Sequence, residues 1–158
     1  MFPPAAQDEV WRHSTNTYAA SSVIYPAGSA KKVKGGYELS GRWPFCSGIL
    51  HSDWVMVGGL VGSSTNSKLA EPRMFLVPKQ ELQLIDTWEV IGLAATGSQD
   101  TACNKVFVPT HRTLAASDLR GGPTPGSVVN PSPLYKLPVA ALFPHLVAAP
   151  VIGMARGI

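Results

Sequence analysis

Cysteine and charge are both scarce in this 158-residue chain: two cysteines, Cys46 and Cys103, and 15% charged residues. Charged side chains usually make up about a quarter of a globular domain. The two thiols match neither a C-x-x-C pair nor a zinc-ligand spacing, which excludes a disulfide framework and a structural zinc centre. Reduced thiols point to a cytoplasmic location. Met1 leads directly into Pro3, Pro4 and acidic residues, so no secretory signal is predicted. Neither a heptad nor a Gly-X-Y period occurs, which excludes a coiled coil and a collagen. The net charge is only +3. The one basic cluster, Lys31, Lys32 and Lys34, sits beside a Gly35-Gly36 turn without the aromatic interleaving of a nucleic-acid surface, so no nucleic-acid partner is predicted. The long apolar stretch from Leu137 to Ala155 is interrupted by Pro138, Pro144, His145 and Pro150 and lacks a basic flank. It predicts a buried helix of a soluble protein rather than a membrane span.

Familiar chemical motifs are missing too. The sequence holds no G-x-G-x-x-G, no G-x-x-x-x-G-K-[ST], no G-x-S-x-G and no H-E-x-x-H. His13, His51, His111 and His145 are scattered without ligand spacing, so no metal site is predicted.

What is present is glycine and proline, 15 and 14 residues, in a chain that is 45% hydrophobic. That combination is loop-rich and β-leaning. Thr17–Tyr25 reads as a strand stopped by Pro26-Ala27-Gly28. Ala30–Val33 and Tyr37–Trp43 flank Lys34-Gly35-Gly36 as a hairpin. Asp53–Val61 is a nearly continuous apolar run, the pattern of a strand buried on both faces. Gly62–Pro72 is a polar loop, Arg73–Val77 and Leu82–Ile85 are short strands, and Ala102–Val108 alternates up to Pro109. The fold class predicted is mainly β, an antiparallel β-barrel or sandwich from about Thr17 to Arg112. Residues 115–136, dense in glycine and proline, form a linker. From Leu137 the chain turns helical, and its apolar pattern is unfinished at Ile158, which predicts an interior piece of a longer protein.

Two segments carry candidate chemistry. In Gly41-Arg42-Trp43-Pro44-Phe45-Cys46-Ser47-Gly48 a strand ends in two aromatics, a proline and small polar residues. In Asp86-Thr87-Trp88 through Thr96-Gly97-Ser98 a tryptophan again precedes glycine, threonine and serine. Each is either a strand end packing its aromatics into the core or a platform for a flat, polar-edged ligand. The second reading places Trp43, Phe45, Ser47 and Trp88 on one open face.

Taken in order with Pro26-Ala27-Gly28-Ser29 and Val106-Phe107-Val108-Pro109-Thr110-His111-Arg112, these segments resemble the middle domain of the acyl-CoA dehydrogenase superfamily. They are most similar to the oxygenase components of two-component flavin-dependent monooxygenases, of the secosteroid-phenol and p-hydroxyphenylacetate hydroxylase type. The resemblance implies a flavin-binding middle domain over 1–114, a linker over 115–136 and the start of a C-terminal helical domain over 137–158. It also implies hydroxylation of an aromatic, phenolic substrate with O2 through a C4a-hydroperoxyflavin. The cofactor would be reduced FMN or FADH2, supplied by a separate NAD(P)H:flavin reductase, and the full-length protein would be a tetramer. By position, Ser47 would hold the proton on flavin N5. Trp43, Phe45, Trp88 and Thr96 would line the cofactor. Two departures, Ile24-Tyr25-Pro26 in place of Thr-Glu-Pro and Trp43-Pro44-Phe45 in place of Trp-Ile-Thr, favour the oxygenases over an acyl-CoA dehydrogenase. That dehydrogenase and a non-catalytic β-barrel binding module are the two alternatives.

Overall fold

The computed structural model describes residues 1–62 and 70–157. Most of the predicted polar loop at 62–72 lies outside the described residues, as does Ile158. Eight strands form one sheet: β1 (Ala19–Ser22), β2 (Gly28–Val33), β3 (Gly36–Cys46), β4 (Trp54–Val61), β5 (Glu71–Pro78), β6 (Gln83–Ile85), β7 (Gln99–Pro109) and β8 (Thr113–Ala115). Their hydrogen-bonded order is β6-β7-β3-β2-β4-β5-β8, with β1 also on β4. The chain is thus mainly β, but two details of the expected antiparallel barrel change. β1 and β2 both pair with β4 in parallel, end to end along one edge. Among the described residues, the outer strands β6 and β8 do not pair with each other, so the sheet stays open.

The strand limits follow from local chemistry. Pro26 opens the short helical turn Tyr25–Ala27 and ends β1's excursion. Gly35, at φ +83°, makes the tight reversal between β2 and β3 that a side chain would strain. The core is built on Leu39, Trp43, Ile49, Val55, Val57, Phe75, Val77 and Val108, each 1% exposed or less. Tyr37 closes one end, edge-on to Phe75 at 5.6 Å.

Trp43 has the tightest seat in this core. Its indole Nε1 donates to the Gly58 carbonyl at 2.6 Å. A Cβ on Gly28 or Gly41 would stand 2.6 or 2.7 Å from the indole. Bare backbone on β2 and β3 therefore makes the slot, and the buried N–H finds its partner on β4.

An unanticipated helix, α1 (Pro4–Trp11), begins at Pro4 and packs Ala6 and Val10 against Leu76, Trp54 and Met56. Glu9 fastens it to the turn after β7, accepting from Arg112 at 2.6 Å and bonding His111 at 3.0 Å. Burial opposes ionisation of Glu9, but the Arg112 and His111 hydrogen bonds outweigh it and hold its carboxyl below the ordinary range. Beyond β8, residues 116–136 form three short helical turns joined by loops. The last element, α2 (Val139–Arg156), carries two internal prolines and buries no side chain. The apolar helix expected from Leu137 is present and its apolar face is uncovered, with Phe143, Leu146, Val151 and Ile152 all open. By length and composition it could also cross a membrane.

Replacing Trp43 removes a large side chain from a slot that cannot collapse onto glycine. Trp43→Ala should lose about 3–5 kcal/mol in chemical denaturation. Phe45→Gly, two residues on, should stay within about 1 kcal/mol of wild type, because Phe45 is exposed at positive φ. Equal losses would show that both rings belong to the core.

Candidate functional site

The site begins with an irregularity in β3. Trp43 pairs with Thr101 and Cys46 with Gln99, so three steps on β3 face two on β7. The extra residue is a β-bulge, the device that re-aims side chains along a strand. Regular alternation would send 43, 45 and 47 to one side. The bulge instead buries Trp43 and Cys46 and turns Phe45 and Ser47 outward. Pro44 fits here because it has no N–H to give the ladder, while its carbonyl accepts from the Ser22 hydroxyl at 2.6 Å.

Trp43 is therefore not on the open face. At 0% exposure it is a core residue, and its expected place lining a cofactor is corrected. Phe45, Ser47, Trp88 and Thr96 do come together. Phe45 is 63% exposed and meets Trp88 edge-on at 6.2 Å. Its φ of +58° is rare for an aromatic, and Leu93, across the same face, shares that value. Left-handed non-glycine residues persist where surrounding contacts enforce them, and they gather at functional sites.

Beside the aromatic pair lies a row of hydroxyls. Ser47 Oγ is 2.8 Å from Ser98 Oγ, which is 2.8 Å from Thr96 Oγ1. Thr96 Oγ1 donates to the Leu93 carbonyl at 2.9 Å. That carbonyl also accepts the Trp88 indole N–H at 3.1 Å and the Thr96 amide at 3.0 Å. One backbone oxygen thus orients both the indole and the hydroxyl row. The Gly48 amide donates to the Thr96 carbonyl at 2.8 Å, tying the end of β3 to the same turn.

Gln99 and Asp100 lie outside both candidate segments, and Ser98, the last residue of the second segment, was not among the residues expected to line the cofactor. Gln99 Oε1 accepts the amides of Thr87 and Trp88 at 2.7 and 3.0 Å. Asp100 accepts from the Thr87 hydroxyl at 3.0 Å and from Arg42 at 2.7 Å. The Thr96-Gly97-Ser98 triplet pointed to Thr96, but nothing in it marks Ser98 as the buried centre of a row. Cys46 is no nucleophile, since burial pushes its thiol up to about 11.

An aromatic pair, Phe45 exposed and Trp88 half-buried, beside an oriented row of hydroxyls suits a flat ring with a polar edge, such as a flavin's. Among the described residues no cluster of His, Cys, Asp and Glu could hold a metal ion. The Gln99 contacts give a direct check. Gln99→Ala should speed amide exchange at Thr87 and Trp88 severalfold, whereas Gln99→Glu keeps the acceptor and should not. Unchanged exchange in Gln99→Ala would show that the segment is held by other means.

No family model matches the chain. It is 36% identical over 157 residues to the flavin-dependent monooxygenase oxygenase subunit HsaA of Rhodococcus jostii RHA1, covering 99% of this chain and 40% of the relative. It is 34% identical to the oxygenase component of an FADH2-dependent resorcinol hydroxylase from Rhizobium, covering 99% and 38%. The crystal structure of 3-HSA hydroxylase from Rhodococcus sp. RHA1 superimposes with a TM-score of 0.90 at 36% identity, over 99% of this chain and 40% of the other. XiaF from Streptomyces, in complex with FADH2 and glycerol, matches 72% of this chain and 28% of its own, at 37% identity and a TM-score of 0.66. The chain spans about two fifths of the length of the curated relatives it matches. Over nearly its whole length it is close, in sequence and in acyl-CoA dehydrogenase-like fold, to the oxygenase components of two-component flavin-dependent monooxygenases.

Proposed function

We propose that this chain is the flavin-binding part of an oxygenase component that hydroxylates an aromatic, phenolic substrate. The observation that carries the reading is the bulge in β3, which sets Phe45 and Ser47 beside Trp88 and the Thr96–Ser98 hydroxyls. In this reading residues 1–114 hold the cofactor, 115–136 link, and 137–158 open a helical domain. The resorcinol hydroxylase's name and the XiaF complex with FADH2 support FADH2 over reduced FMN. A separate NAD(P)H:flavin reductase would supply it in the cytoplasm. The exposed apolar residues of α2 suit packing into a larger helical assembly, a tetramer.

Bound reduced flavin supplies the oxygen chemistry. The chain's own residues cover, dry and orient. Phe45 and Trp88 offer apolar surface to the ring and keep water from it. Ser47 Oγ holds the proton at flavin N5, and Ser98 fixes Ser47 so that no reorganisation is needed during reaction. No base for the phenol's proton is assigned to His111, whose ring is engaged by Glu9. The acyl-CoA dehydrogenase and binding-module alternatives are not favoured, because the relatives are hydroxylases.

Ser47→Ala in the full-length protein tests the role of the hydroxyl. One neutral hydrogen bond is worth about 1 kcal/mol net, too little to unfold the sheet. Reduced-flavin binding should persist, while hydrogen peroxide release rises severalfold at the expense of product, since about 1.4 kcal/mol on a barrier is tenfold in rate. An unchanged ratio of product to oxygen consumed would remove Ser47 from the chemistry.

A further inference from the structure

We propose that Thr96 and Ser98 are positioning residues that fix the direction of the Ser47 hydroxyl, so that Ser47 presents only an acceptor and the face selects reduced over oxidised flavin. The inference rests on the flavin-binding reading above and deepens it.

It comes from counting protons along the row. There are three oxygen–oxygen contacts: Leu93 O with Thr96 Oγ1 at 2.9 Å, Thr96 Oγ1 with Ser98 Oγ at 2.8 Å, and Ser98 Oγ with Ser47 Oγ at 2.8 Å. Two oxygens that close need a proton between them, or their lone pairs repel. Three hydroxyls supply three protons, one apiece. The Leu93 carbonyl has none to give, so the Thr96 proton must go to it. Ser98 must then donate to Thr96, and Ser47 must donate to Ser98. Among the described residues no other donor enters the row.

Ser47 therefore has no proton left for the open face. It is exposed there with lone pairs alone, whereas Ser98 is 3% exposed and closed to any ligand. The two redox states of a flavin differ at this edge. Reduced flavin carries an N–H at N5 and can donate to Ser47. Oxidised flavin carries a lone pair at N5 and needs a donor. To become one, Ser47 would have to reverse all three hydroxyls, leaving Thr96 Oγ1 against the Leu93 carbonyl with no proton between them. That carbonyl cannot move away freely, since it also holds the Trp88 indole and the Thr96 amide.

The test measures Kd for FAD and, anaerobically, for FADH2 on the full-length protein. Wild type should bind FADH2 more tightly. Thr96→Val removes the anchor proton, frees Ser98 to donate to Ser47, and frees Ser47 to donate outward. The ratio Kd(FAD)/Kd(FADH2) should fall roughly three- to tenfold, the span of one neutral hydrogen bond. Ser98→Ala should lower the ratio similarly by a second route, and Thr96→Ser, which keeps the hydroxyl, should retain it. The potential of bound flavin must move with the ratio, by about 30 mV per tenfold for a two-electron couple. If Thr96 and Ser98 only support the fold, both Kd values shift together and the ratio stays put, which overturns the inference. Equal wild-type affinity for the two states overturns it as well. A wild type that binds neither flavin overturns the functional reading itself.

Discussion

One extra residue in a strand separates core from site. The bulge at Pro44-Phe45 lets Trp43 and Cys46 both face inward while Phe45 and Ser47 face outward. Trp43 enforces this arrangement. Its indole is held by the Gly58 carbonyl and by a slot with no room for a Cβ at Gly28 or Gly41. With position 43 pinned inward and Cys46 buried three residues later, the intervening chain must bend. Phe45 takes up that bend at positive φ, an unfavourable conformation that the surrounding packing maintains. The aromatic wall of the candidate site is a consequence of how the core is packed.

The opposite wall is held differently. Residues 86–98 contribute almost nothing to the core and lie outside the regular strands. Their position comes from polar contacts: Gln99 on two amides, Asp100 on Thr87, and Leu93 O on three donors. Each such bond is modest, about 1 kcal/mol net. Several converging on one short loop can still preorganise it, provided every partner is satisfied. A rigid apolar wall thus meets a polar loop, with the hydroxyl row along the seam.

Much of this was legible in the sequence. The hairpin at Lys34-Gly35-Gly36, the apolar strand ending at Val61 and the strand ending at Pro109 all appear where their turn residues and patterning predict. Phe45, Ser47, Trp88 and Thr96 meet as the two aromatic-plus-hydroxyl segments suggested. Trp43 was misplaced because a bulge breaks the period-two rule without leaving a mark in composition. Pro44 is compatible with a bulge but does not require one. The parallel pairing of β1 and β2 with β4 is non-local, and no turn signal encodes it. Helix α1 was missed because eight residues give too little periodicity, and its stability comes from Leu76 and the Glu9 contacts. The apolar composition of α2 marks it as a helix, but composition does not say which surface covers it.

The central claim is spatial: a reduced flavin binds across the seam between Phe45 and Trp88, with its N5 edge at Ser47. A crystal structure of the full-length protein grown anaerobically with FADH2 tests it most directly. The account predicts the ring against Phe45 and Trp88, with N5 within hydrogen-bond distance of Ser47 Oγ and the Ser47–Ser98–Thr96 row intact. A ring seated elsewhere would contradict it, for instance in the apolar cavity of about 330 Å³ bounded by Phe2, Val10, Met56 and Tyr135.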